Sequence, residues 1–228
     1  MKNTFNYTIK VKFTSEWLTS SGTGDGYVAD TVLNSDDLGI PILGGRAVRG
    51  ALRESAWRMA MSDSRHEDLT KAMDYFFGLG SEKAENEPSG CIKVGIGLLS
   101  DKLHEHLASL DEPTRKEYIQ DFSVLRVQTT LEENKKVKAG SLRTIQCGVA
   151  GLCFDVPLEV TTSLAEDYVK SYLVAICAGV KSIGANRARG LGNCELTLCD
   201  PKSKLPVFSK DKRVCLPKKF QLPEDRGE

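Results

Sequence analysis

The chain has 228 residues, with 31 lysines and arginines balanced by 31 aspartates and glutamates. Hydrophobic residues make up 40% and charged residues 27%, which excludes wholesale disorder and a disulfide miniprotein, and the length suits one domain with insertions or two small ones. No uncharged apolar run approaches the ~18 residues of a membrane span, and Met1-Lys2-Asn3-Thr4-Phe5 opens no apolar signal core, so a cytoplasmic protein is expected. The neutral total speaks against nucleic acid only as a sum, because binding responds to local charge.

Tyr7, Ile9, Val11 and Phe13 alternate with Thr8, Lys10 and Lys12, the pattern of a half-buried strand. Residues 19–43 read as a loop rich in Gly, Ser, Thr and Asp. A helix starts after Gly44-Gly45, with Val48, Leu52 and Ala56 at helical spacing, and runs to about residue 62. A second helix is expected over 66–77, ending at Gly78. A polar loop follows over 80–90, then a strand over Cys91–Leu99 and one charged helix over 101–119. Strand character returns over 121–131 and 141–160. A helix over 163–180 opens with Ser163 and Glu166 in capping-box spacing. A glycine loop then leads into a strand near 193–199. The order of strands and helices fits an α+β, ferredoxin-like (RRM-like) βαββαβ core with inserted loops. The domain spans 1–200, with insertions at 19–43, 80–90 and about 121–150, and an irregular basic tail over 201–228.

Seven cysteines without a C-x-x-C pair read as reduced, small buried residues on strands, and no metal ligand set is assigned. The three histidines are His66, His104 and His106; His104 and His106 do not share a helix face and read as solvated. So few histidines leave little for a Ser-His-Asp or Cys-His mechanism.

Charge is segregated along the chain. Arg46, Arg49, Arg53 and Arg58 crowd the first helix beside its glycine-opened N-terminus, a candidate phosphate surface; a solvated basic face is the alternative. Gly184, Arg187, Arg189, Gly190 and Gly192 form a glycine loop that matches neither a P-loop nor a dinucleotide fingerprint. Arg126, Lys135, Lys136, Lys138 and Arg143 make a third basic run, and 201–219 a fourth. Among the acids of the first loop, Asp25, Asp36 and Asp37 read as turn residues. Asp30 differs, because Tyr27-Val28-Ala29 and Thr31-Val32-Leu33 surround it with strand-like residues.

Taken in order, these motifs resemble the RAMP superfamily of CRISPR-associated proteins, and most of all the backbone subunit of type III effector complexes. The resemblance rests on a Gly-rich loop with Asp30, Ile40-Pro41-Ile42-Leu43, Gly45-x-x-x-Arg49-Gly50-x-x-Arg53, Arg143-x-Ile145 with Ala150-Gly151-x-x-Phe154, and Gly184-x-x-Arg187-x-Arg189-Gly190-Leu-Gly192. Arg49 stands where the family carries a Lys, and Arg46-Ala47 where it carries two serines.

The resemblance implies an RRM-like palm with a thumb β-hairpin and copies stacked in a helical filament on guide RNA beside other type III effector subunits. It implies RNA contacts from Gly45, Arg46, Arg49, Arg53, Lys135, Lys136, Lys138, Arg143, Gly184, Arg187, Arg189 and Gly190. Asp30 falls at the family's catalytic position, which implies a metal-dependent endoribonuclease that cleaves target RNA within the complex, with a divalent cation such as Mg²⁺. The alternatives are a non-cleaving guide-binding subunit of the same fold and a guide-processing endonuclease. The second is disfavoured because no His precedes His66. A plain RRM-type binder lacks its aromatic strand here.

Overall fold

A computed structural model describes residues 2–20, 29–79, 90–129, 136 and 141–207. Strand β1 (Asn3–Phe13) is followed by helices α1 (Gly45–Ser62) and α2 (His66–Phe77). Two short strands, β2 (Ile92–Val94) and β3 (Leu98–Leu99), precede helices α3 (Asp101–Ser109) and α4 (Glu112–Gln120). Next come β4 (Ser123–Gln128), β5 (Arg143–Gly148), β6 (Cys153–Thr162), α5 (Glu166–Gly179) and β7 (Cys194–Cys199).

The main sheet runs β2-β6-β1-β7, with β3 also on β6 and every pairing antiparallel. That is the ferredoxin-like order, with β6 and β1 central, and it matches the sequence expectation. On β1, Tyr7, Ile9, Val11 and Phe13 are buried as their alternation requires. Phe13 stacks on Trp17 at 4.7 Å, and Phe154 meets both edge-on. A second aromatic pair, Phe76 on Tyr172 at 4.5 Å, joins α2 to α5.

The single strand expected over 91–99 is two pieces. Pro157 of β6 lies opposite the gap between them and has no N–H to offer the edge strand. Its carbonyl still accepts from Gly95 N at 2.9 Å. The single helix expected over 101–119 is also two. Asp111 caps α4 by accepting from Thr114 N, and Pro113 occupies its first turn. The Ser163 cap does not form, because α5 begins at Glu166 with Ala165 at its N-cap. Thr162 holds that corner extended: its hydroxyl accepts from Leu164 N at 3.1 Å and meets the Tyr75 hydroxyl at 2.7 Å.

His104 is not a plain solvated residue: its Nε2 lies 3.0 Å from Asp36 Oδ2, which ties α3 to the loop before α1. The other Asp36 oxygen accepts from Leu38 N and Ile40 N, the expected turn role. Cys147, Cys194 and Cys199 are buried on strands as expected, whereas Cys177 is buried on α5 and Cys91 and Cys153 are half-buried. Burial pushes the Cys177 and Cys194 thiols up to about 12, far from nucleophilic use. Residues 201–207 turn back onto β7, where Val207 N donates to Leu198 O.

Two arginines of α1 close the ends of the other long helices. Arg49 donates to Phe77 O at the end of α2 (2.6 Å) and lies over the Phe77 ring, while Arg58 donates to Gly179 O at the end of α5 (3.1 Å). Each cation meets the carbonyl-rich, negative end of a helix dipole. Arg49→Ala is therefore expected to lower stability by roughly 1–2 kcal/mol in urea unfolding. Arg46→Ala, on the exposed side of the same helix, should stay within about 0.5 kcal/mol.

Candidate nucleic-acid interface

Strands β4 and β5 pair in antiparallel register from Ser123↔Gly148 to Gln128↔Arg143, forming a hairpin apart from the main sheet. The thumb-like excursion of the sequence is thus a real two-stranded element. Its free edge is occupied by the segment around Asp30. Asp30 N donates to Thr144 O (2.8 Å), and Gln146 N donates to Thr31 O (2.8 Å). The Asp30 side chain closes the same clamp, since its Oδ2 accepts from Thr144 N at 2.7 Å. Asp30 is exposed, so the carboxylate is fixed in direction yet open to solvent.

The hairpin, the Asp30 segment and the glycine loop all hang from one short connector, residues 16–19. Trp17 exchanges two main-chain hydrogen bonds with Gly148 of β5 (3.0 and 2.8 Å). Glu16 O accepts from Gly192 N and Leu18 O from Ala185 N, which fastens the glycine loop. Thr19 O accepts from Asn34 N, and Asn34 O from Ile42 N, which reaches the N-terminus of α1. The Glu16 carboxylate is gripped by the Arg126 guanidinium through both of its oxygens.

The glycine loop is shaped by space as much as by ligand approach. Gly184 has φ +104°, and a Cβ there would lie 2.3 Å from Leu18 O. Gly190 has φ +85° with no neighbour near its Cβ position, so it answers to backbone conformation alone. Between them, Arg187–Arg189 form one 3₁₀ turn. Arg187 pairs with Glu54 of α1 at 2.5 Å, and Arg189 donates to Gln128 of β4 at 3.1 Å. Gln128 is the cross-strand partner of Arg143, and Asp30 clamps the next residue, Thr144. Asp30, Arg143 and Arg189 therefore gather where the hairpin meets the glycine loop.

The remaining expected residues divide. Gly45 is buried, and a Cβ would lie 2.4 Å from Val94 O, so its small size serves helix–strand contact. Arg49 faces α2 rather than outward. Arg46 is exposed and Arg53 half-buried; neither side chain makes a hydrogen bond or ion pair among the described residues, and the same holds for the side chain of exposed Arg143. Lys136 is exposed, while Lys135 and Lys138 lie outside the described residues. Sequence reasoning passed over Glu16, Trp17 and Gln128. The signal for Trp17 was an apolar Trp-Leu pair directly after a strand.

No protein-family model matches the chain, and no curated protein matches it in sequence. In fold it is similar to chains of two solved structures, both type III-B Cmr-beta complexes. The chain from the complex bound to cognate target RNA aligns with a TM-score of 0.66, and that from the apo state with 0.59. Each is 11% identical, with 85% of this chain and 97% of that chain covered. The α+β fold, with its antiparallel sheet in ferredoxin-like order, is therefore similar to that of chains in type III-B Cmr-beta complexes. Among the described residues no helix is long and apolar enough to cross a membrane.

Hydrogen bonding to Arg126 holds the Glu16 carboxyl below its ordinary value. A lowered folded-state pKa contributes stability above the unfolded value and loses it as pH falls through the folded one. Acid titration of the fold should therefore show Glu16→Gln less stable than the parent at neutral pH. The gap should close as pH drops below the carboxylate range.

Proposed function

We propose that the chain is a subunit of a type III CRISPR RNA-guided effector complex that binds guide RNA and cleaves the paired target RNA at Asp30. The observation that carries this reading is the Asp30 clamp. An exposed carboxylate is aimed by Thr144 near the loop end of the described hairpin pairing, beside Arg143, whose side chain has no partner among the described residues, and near Arg189, in a fold similar to that of type III-B Cmr-beta chains.

Arg143, Arg189 and Arg46 hold phosphates, which sets RNA register without reading sequence. Guide–target pairing reads the sequence. At the scissile step a target 2′-hydroxyl gives its proton to Asp30, its oxygen bonds to the adjacent phosphorus, and the bond to the 5′-oxygen breaks, leaving a 2′,3′-cyclic phosphate and a 5′-oxygen that takes a proton from water. DNA lacks that hydroxyl and is spared. Further copies of the chain and other effector subunits extend the same RNA track.

Asp30 is a single carboxylate, and no group of three His, Cys, Asp or Glu side chains able to hold a metal stands among the described residues. A cation such as Mg²⁺ would take Asp30 as one ligand and RNA oxygens as others, a donor set that suits it. When bound, it would offset charge on the phosphate.

The two-way bonding of Asp30 to Thr144 also favours a second reading, in which Asp30 only fastens the hairpin and the subunit is a non-cleaving scaffold. Asp30→Asn separates the two, because the amide oxygen still accepts from Thr144 N while the charge is gone. The assembled complex with this variant is expected to bind guide-complementary RNA normally and to lose cleavage by at least about 100-fold, the scale of general-base loss. Undiminished cleavage would assign the clamp to structure alone.

A further inference from the structure

On α1, positions 46, 50, 53, 57 and 61 fall within one narrow arc, since steps of three, four, seven and eleven residues return to the same face. They are Arg46, Gly50, Arg53, Trp57 and Met61, so the exposed stripe opens basic and ends aromatic. Trp57 is 52% exposed, unusual for an indole on a helix whose opposite face is fully buried. Gly50 leaves open space, with no atom within 4 Å of a Cβ placed there. Beside it lies an open cleft of about 340 Å³ lined by Gly50, Arg53, Glu54, Trp57 and Met73.

The electrostatics of this cleft are lopsided. Glu54 is already neutralised by Arg187. Arg53 has no hydrogen bond or ion pair among the described residues, although it is half-buried and its neighbours Arg49 and Arg58 are both engaged by helix carbonyls. The Trp57 ring likewise has no aromatic or cationic partner among them. An unpaired guanidinium beside an open indole face matches a ligand with one anionic group and one planar ring.

The geometry points to a nucleotide-stacking site in which Trp57 takes an unpaired base of single-stranded RNA and Arg53 its phosphate. This rests on the RNA-binding reading above and extends it. Arg46 and Arg53 are about 10 Å apart along the helix at 1.5 Å per residue, so one strand can run from the α1 N-terminus along the stripe to Trp57. A duplex cannot use the site, because its bases already stack on each other.

The test is titration of the full chain with a short single-stranded oligouridylate, followed by tryptophan fluorescence and by affinity at several salt concentrations. The parent should be quenched, because the only other indole, Trp17, is buried. Trp57→Phe should keep most of the affinity and lose the quenching. Trp57→Ala should bind roughly tenfold more weakly with its salt slope unchanged, since a stacked base releases no counterion. Arg53→Ala should reduce the slope by about 0.7, one phosphate contact on a single strand.

RNA that binds the parent and Trp57→Ala equally, without quenching, overturns the stacking site and leaves the RNA-binding reading intact. Unchanged RNA affinity with lost self-association in Trp57→Ala makes the cleft a protein contact and also overturns it. A parent chain that binds no RNA removes both readings together.

Discussion

Everything that makes this fold more than a bare palm depends on the backbone of residues 16–19. Once β1 ends at Phe13, the chain is held straight by Trp17, whose ring is buried on Phe13 and against Phe154. Burial of that indole fixes the connector, and the connector then spends its main-chain groups outward. Gly148, Gly192, Ala185 and Asn34 each bond to it. Three segments far apart in sequence thus reach one place without a shared sheet. Main-chain bonds of this kind tolerate varied side chains, which is consistent with a fold kept at 11% identity.

The same dependence explains what was legible beforehand. β1, α1 and α2 announce themselves by period, because each buries one face of a regular element. The palm order follows from those elements and the handedness of their crossovers. The break between α3 and α4 was also readable: Asp111-Glu112-Pro113 combines an N-cap with a first-turn proline. By contrast, the split edge strand depends on Pro157, more than fifty residues away in sequence, and the start of α5 depends on a hydroxyl contact between Thr162 and Tyr75. Neither contact has a local signature.

The site was legible in composition and less so in role. Asp30, Arg143 and Arg189 do gather, and the order of their motifs pointed there. Gly45 and Arg49 belong to the same motif, yet one is small to clear the Val94 carbonyl and the other caps α2. A motif records every constraint on a stretch of chain, and packing constraints look the same as binding ones until the neighbours are known. Glycine conveys least of all, since positive φ, close backbone approach and ligand access all select it.

Net charge shows the same limit from the other side. Equal numbers of acids and bases suggest mutual neutralisation, but the arginines of α1 are sorted by what they face. Arg49 and Arg58 are drawn to helix carbonyls, which carry no formal charge and enter no count of acids. Glu54, the acid on the same helix, is taken by Arg187 from the glycine loop. What remains on the open face is Arg46 and Arg53, with no acid among the described residues paired to either. A helix dipole can therefore consume a cation without adding an anion to the sum, and a loop cation can cancel a helix anion. The balance that matters for a phosphate chain is the local remainder. On α1 that remainder is positive and aligned along one stripe.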